Sequence, residues 1–159
     1  MQSEVDPSAD HIWDAVETVV TSRGTEERHP RTAAQWADLR RSAITLIEAT
    51  NLLQMDGRRV STKPFAAEAD GALDSTQIQQ RLDSNRAGFN AFAQSLRAAV
   101  LRQLAAIDAK DPVTLVRAGG DVDEVCEACH LTFWYPNQVI PPLPDHIPPL
   151  PPIQSRQRG

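Results

Sequence analysis

Trp36, Leu39, Ala43, Leu46, Thr50 and Leu53 recur at alternating steps of three and four residues. That spacing lays them along one stripe of an α-helix, a seam that must be buried against other helices. A start signal precedes the stripe. Thr32 followed three residues later by Gln35 is a capping box, and Asp56-Gly57 marks the far end. The same period governs three other stretches. Asp6-Pro7 offers a capping carboxylate with proline at the first helical position. Ile12, Trp13, Val16, Val19 and Val20 follow it, which predicts a first helix over 7–22. Asp74 with Gln77 opens a third run in which Ile78, Leu82, Asn85, Phe89, Phe92, Leu96, Ala99 and Gln103 follow a heptad. This predicts one helix over 75–109, with a bend near Gly88. Asp111-Pro112 repeats the cap-plus-proline device and starts a fourth helix, whose inner side carries Val113, Val116, Val122, Val125 and Cys126. The pair Gly119-Gly120 within it reads equally as backbone kept thin for a flat cofactor or as a local kink. No stretch alternates at period two. The expected fold is all-α, an antiparallel up-down four-helix bundle over 1–136.

The fourth helix also carries the sequence that speaks of chemistry, Cys126-Glu127-Ala128-Cys129-His130. The chain has two cysteines in all, and both are spent here. Cys-x-x-Cys-His is the attachment sequence of a c-type haem. On a helix, at about 100° per residue, Cys126, Cys129 and His130 share one narrow face while Glu127 and Ala128 point elsewhere. Two thiols on that face suit thioether links to the two vinyl groups of one porphyrin edge. The imidazole one position later suits the proximal iron site. Two other readings use the same residues. A redox disulfide belongs at a strand-to-helix junction in a βαβ setting, which this sequence lacks. Half a zinc site would need about four ligands, and the remaining His11, His29 and His146 have no matching spacing.

Composition and charge narrow the partners. At 159 residues the chain is one domain with room for a core. Its formal charge of −5 argues against duplex nucleic acid. Asp145, Arg156 and Arg158 give the stretch from Pro136 a net +1, leaving −6 on the body (−5 minus +1). Such a body steers basic redox partners, more strongly at low salt. There is no membrane span and no basic n-region or apolar h-region at the N-terminus. Since covalent haem attachment implies export in most bacteria, the expectation is a periplasmic or otherwise exported protein whose sequence starts at or near a processed end. Most of the twelve prolines fall after Tyr135. Residues 137–159 therefore read as an extended polyproline II arm, free to pack on the bundle or to serve self-association or assembly.

Helix register gives the expected depth of the iron. His130 lies eighteen residues past 112, about 27 Å at the α-helical rise. The same distance back along the third helix reaches Phe89 and Phe92, and along the second it reaches Thr50, Leu53 and Met55. The first helix brings its beginning, residues 5–11, to that end. Trp13, Phe89, Phe92 and Leu53 are thus the candidate cofactor walls. Met55 is the candidate sixth iron ligand, with His11 as an alternative and an apolar open site as the third possibility. Arg58 and Arg59 are candidates for pairing with haem propionates. His29 and His146 read as solvated.

A Cys-x-x-Cys-His near the C-terminal end of the last of four helices resembles the class II c-type cytochromes, the cytochrome c′ family. Ala128-Cys129-His130 followed by Phe133-Trp134-Tyr135-Pro136, and Asn51-Leu-Leu-Gln-Met55 before a Gly-Arg turn, are similar to an exported bundle subgroup of cytochromes. The resemblance covers most of residues 6–136. It implies one covalent haem c held by Cys126 and Cys129, with His130 as proximal ligand. Low-spin members add a methionine from the first helix, and five-coordinate members leave that side apolar and bind gases. This chain departs from the low-spin pattern, since its first helix has no methionine. The expected function is a monohaem electron carrier working with redox partner proteins. No side chain is called on as acid or base, so the chain is not read as an enzyme. The alternatives are a five-coordinate gas-binding protein and a haem subunit of a larger electron-transfer assembly joined through the arm.

Overall fold

The computed structural model describes residues 1–21 and 24–139. Almost all of the proline-rich arm, with His146, lies outside the described residues. Five helices and a two-stranded sheet follow in the order α1 (Val5–Asp14), β1 (Thr18–Thr21), β2 (Gly24–Glu27), α2 (Ala33–Gln54), α3 (Ser75–Ser84), α4 (Arg86–Asp108) and α5 (Pro112–Phe133).

The caps explain where the long helices begin. Thr32 Oγ1 accepts from the Gln35 amide at 3.2 Å, and Gln35 Oε1 accepts from the Thr32 amide at 3.0 Å, closing the box at the start of α2. Asp111 accepts from the amides of Val113 and Thr114, with Pro112 opening α5. These bonds hold its carboxyl below the usual range, the Thr114 hydroxyl contributing most.

Two expectations are corrected here. The first helix stops at Asp14 instead of running to 22, and Thr18–Thr21 pairs antiparallel with Gly24–Glu27, Val19 opposite Glu26. Four consecutive β-branched residues, Thr18-Val19-Val20-Thr21, lose side-chain freedom in a helix and fit a pleated strand. Asp6 and Pro7 fall inside the first turn, and Glu4 is the cap position. The third run is also two helices. Asn85 (φ −137°, ψ 50°) ends α3 and begins α4, its side chain accepting from the Gly88 amide at 3.1 Å. A Cβ on Gly88 would stand 2.6 Å from that side chain, so the glycine expected at a bend serves a break three residues earlier.

Helix α4 packs between α2 and α5, and α1 lies on α2 and touches α5. Cross-helix pairs fix the directions. Arg40 bonds Asp108 while Gln54 is bonded by Gln94, so α2 and α4 run antiparallel. Arg102 bonds Asp121 and Phe89 meets Phe133, so α4 and α5 do too. The main core, with Ile12, Leu39, Ala43, Leu46, Ala99, Val100, Leu115 and Val122 all at 2 % exposure or less, fills the space between these four helices. A second cluster, Leu73, Ile78, Leu82 and Phe133, closes one end. There α3 and the loop before it fold over the end of α5. Leu73 N–H donates to Trp134 O at 2.8 Å, and Arg81 Nη1 donates to Thr132 O at 3.1 Å.

Within the main core Gln103 is fully buried, and neither polar atom of its amide has a partner among the described residues. An unsatisfied buried group costs about 1–3 kcal/mol. Gln103→Met, close in volume and without the amide, is expected to raise stability by about 1–2 kcal/mol, read from the midpoint and slope of urea unfolding. A lower midpoint would show that the amide is satisfied after all.

Candidate metal centre

The motif occupies the last two turns of α5, where the main core hands over to the second cluster. Cys126 packs against the first and Cys129 against the second, and both thiols are free and half-buried. Burial pushes each thiol up to about 11. The carboxylates of Asp123, Asp6 and Glu127 add to this at Cys126, and Cys126 itself adds to it at Cys129. A reactive dithiol needs the opposite, a thiolate favoured by nearby positive charge. The redox-disulfide reading loses its chemical basis. Among the described residues no three His, Cys, Asp or Glu side chains stand close enough to share an ion.

His130 is held from one side only. Its carbonyl accepts from the amides of Trp134 at 2.8 Å and Tyr135 at 3.0 Å, which ends the helix and turns the next two side chains back over the ring. Trp134 meets the imidazole edge-on at 5.1 Å between centroids, and Tyr135 does so at 5.7 Å. The Tyr135 hydroxyl lies 3.2 Å from Nδ1 and donates to Glu127 Oε1 at 2.6 Å. The other ring nitrogen, Nε2, is buried and has no hydrogen-bond partner among the described residues. Burial lowers the imidazole pKa, against the pull of Glu127 and Asp6, which favours the neutral ring that a lone-pair donor needs.

The sequence-predicted residues divide. Phe89 and Phe92 each meet Phe133 edge-on, at 5.5 and 6.1 Å, in the same cluster as Cys129. Leu53 packs on the main core, as does Cys126. Trp13 is elsewhere. Its Nε1 donates to Gly119 O at 3.4 Å, and a Cβ on Gly119 would come within 3.3 Å of the indole. Gly119 precedes His130 by eleven residues, about 16 Å of helix. The flat group that this glycine admits is therefore an indole of the same chain, and α5 runs through both glycines as one helix. At the motif itself α1 contributes its first turn, through the charge of Asp6.

Met55 follows the end of α2 in extended conformation (φ −61°, ψ 133°). Its side chain is 54 % exposed and belongs to neither cluster. Its carbonyl instead accepts from Arg86 Nη2 at 2.7 Å. His11 is taken up at the surface by Ser42 at 2.8 Å and Asp38 at 3.5 Å. His29 is exposed beside Pro30. Arg58 and Arg59 are also exposed. Two polar residues of α4 were not expected. Asn90 Oδ1 and Arg97 Nη1 are buried without partners. They sit seven residues apart on one side of the helix, and the α4–α5 pairing sets them near the level of the motif.

The donor set fits a covalently held haem. Two neutral sulfurs and a buried lone-pair nitrogen lie on one helix face, the nitrogen has its other side anchored, and apolar side chains flank the thiols. With both thiols free, iodoacetamide alkylation near pH 8.5 is expected to run about a hundredfold below that of an unperturbed cysteine. The rate should climb until about pH 11, because thiolate appears only as pH approaches the raised value. Full-rate alkylation at pH 8.5 would contradict the burial.

Solved structures share this fold. A ferrous variant of cytochrome c prime from Alcaligenes xylosoxidans with bound NO is 22 % identical to this chain. The match covers 84 % of this chain and 88 % of that one, with a TM-score of 0.53. A further cytochrome c′ is 24 % identical over 84 % and 90 % of the two chains, TM-score 0.53. A nitric oxide complex of a second variant of the Alcaligenes protein is 24 % identical over 84 % and 89 %, TM-score 0.52. No protein-family model and no curated protein sequence matches the chain.

Proposed function

We propose that this chain is a monohaem c-type cytochrome on an antiparallel up-down bundle. Cys126 and Cys129 carry the thioether links, and His130 Nε2 is the proximal iron ligand. The observation that carries the reading is the buried, unpartnered Nε2. The imidazole is fixed through its other nitrogen and sits one residue beyond two thiols that have no other evident use. A haem held there would supply a one-electron ferric/ferrous couple and a metal to which small ligands could bind. The protein residues hold and shield it. The sulfurs prevent its loss, Trp134 and Tyr135 fix the imidazole plane, and Phe89, Phe92 and Phe133 keep water from the thiol side. Arg97, whose Nη1 is buried without a partner among the described residues, is the cation available to its carboxylates, in place of the exposed Arg58 and Arg59.

The sixth side is open in this proposal. Met55 and Met1 are 54 % and 41 % exposed, His11 is engaged at the surface, and the solved proteins of the same fold include ones with bound NO. A small neutral gas is the ligand such a site admits, and one-electron transfer to redox partners remains compatible with it. Covalent haem implies maturation outside the cytoplasm. Among the described residues no helix is long and apolar enough to cross a membrane. The acidic body favours a basic redox partner, in a salt-dependent way.

Protein co-expressed with a c-type maturation system should give a pyridine haemochrome of the two-thioether type, and its haem should resist acidified acetone. Its ferrous spectrum should be high-spin and shift with carbon monoxide. Colourless or acetone-extractable material would end the haem reading. A low-spin spectrum indifferent to carbon monoxide would instead restore a six-coordinate electron carrier.

A further inference from the structure

The contact between Tyr135 and Glu127 does more than close a helix end. A phenol has one proton to give, and the 2.6 Å bond to the Glu127 carboxylate uses it. Toward Nδ1 of His130, 3.2 Å away, the same oxygen can then only accept. Nδ1 must carry the hydrogen, and the lone pair is placed on Nε2, the buried nitrogen without a partner. The three side chains thus form a directed chain, imidazole N–H to phenol oxygen and phenol O–H to carboxylate. Each bond polarises the next.

We propose that Tyr135 and Glu127 are positioning residues that fix the tautomer of His130 and lower the reduction potential of iron bound at its Nε2. This rests on the haem reading and adds the setting of the couple to it. The reason is electrostatic. An imidazole whose N–H is drawn toward an anion is a stronger σ-donor, and ferric iron, with one more positive charge than ferrous, gains more from that. The carboxylate belongs to Glu127, the first variable position of the Cys-x-x-Cys-His motif. The hydroxyl comes from the second residue after α5 ends. The backbone bonds from Trp134 and Tyr135 to the His130 carbonyl hold that hydroxyl in place.

The test uses the full chain with haem attached, comparing Tyr135→Phe, Glu127→Gln and the control Glu124→Gln by spectroelectrochemistry. Glu124 is exposed on the same helix and outside the relay. Tyr135→Phe keeps the ring and removes the link. At a fixed electrode potential it should shift the ferric-to-ferrous ratio about tenfold toward ferrous, about 59 mV for one electron. Glu127→Gln keeps an acceptor without the charge and should move the ratio roughly threefold the same way. Glu124→Gln should stay within about twofold. The iron–histidine stretching frequency of the ferrous protein should fall in Tyr135→Phe, a change that loss of packing alone would not produce. Should Tyr135→Phe not mature, Glu127→Gln decides by the same criterion. Ratios within twofold of the parent and an unmoved stretch, with haem attached, overturn the relay and leave the haem reading standing. A parent protein without covalent haem overturns both.

Discussion

Helix α5 has to satisfy two packing demands with one face. Its earlier turns offer Leu115, Ala118, Val122 and Cys126 to the core shared with α1, α2 and α4, and its last offer Cys129 and Phe133 to the second cluster. A single unbroken helix achieves both because residues three and four apart fall on one stripe. The stripe cannot be shifted without moving core and motif together. Everything else at this end is arranged around that helix. Residue 85 breaks the third run so that α3 can lie across the end, and the loop before α3 is drawn in by the Leu73–Trp134 backbone bond.

Burying Nε2 of His130 without a partner costs about 1–3 kcal/mol, and an isolated imidazole would avoid the cost by turning toward water. Here the turn is blocked. Trp134 and Tyr135 stand on the ring's exposed side, and Nδ1 is tied to the phenol. The fold therefore spends stability to keep one nitrogen aimed away from solvent, as a preorganised ligand requires. Gln103 shows the same cost at a place where no ligand chemistry lies nearby. An orphaned polar group alone therefore does not mark a site. The combination with two thiols on the same face does.

The sequence was most legible where local chemistry and packing agree. The caps at Thr32 and Asp111 were written in three or four adjacent residues, and both helices begin where those residues say. The levels of Phe89 and Phe92 followed from counting helix rise alone. Illegible were the places where one pattern served two structures. Val19 and Val20 fit a helical stripe as well as they fit a strand, and the β-branched run decided for the strand. The heptad of the third segment passed smoothly through Asn85, because a cap residue and a core-spaced polar residue look the same in a list of intervals. Counting gave Met55 a depth but no direction, which depends on where the helix stops, and its side chain is 54 % exposed. Tyr135 and Glu127 were missed for a related reason. Helical spacing sends Glu127 away from the motif face, and only the reversal of the chain after Phe133 carries the phenol round to meet it.

Charge at this end works in one direction. Asp6, Asp123 and Glu127 act on Cys126, and Asp6 and Glu127 also act on His130. Around a thiol, such a set disfavours the thiolate. Around an imidazole, it favours positive charge, whether a proton or a metal at the ring nitrogen. A site meant for thiol redox chemistry would suffer from these carboxylates, whereas one meant to stabilise an oxidised cation gains from them. Asp6 supplies that charge from the first turn of α1, although Trp13 on the same helix is held two turns away at Gly119. The role of α1 at the motif is thus electrostatic at its start and structural further along, a division that follows from its antiparallel course beside α5.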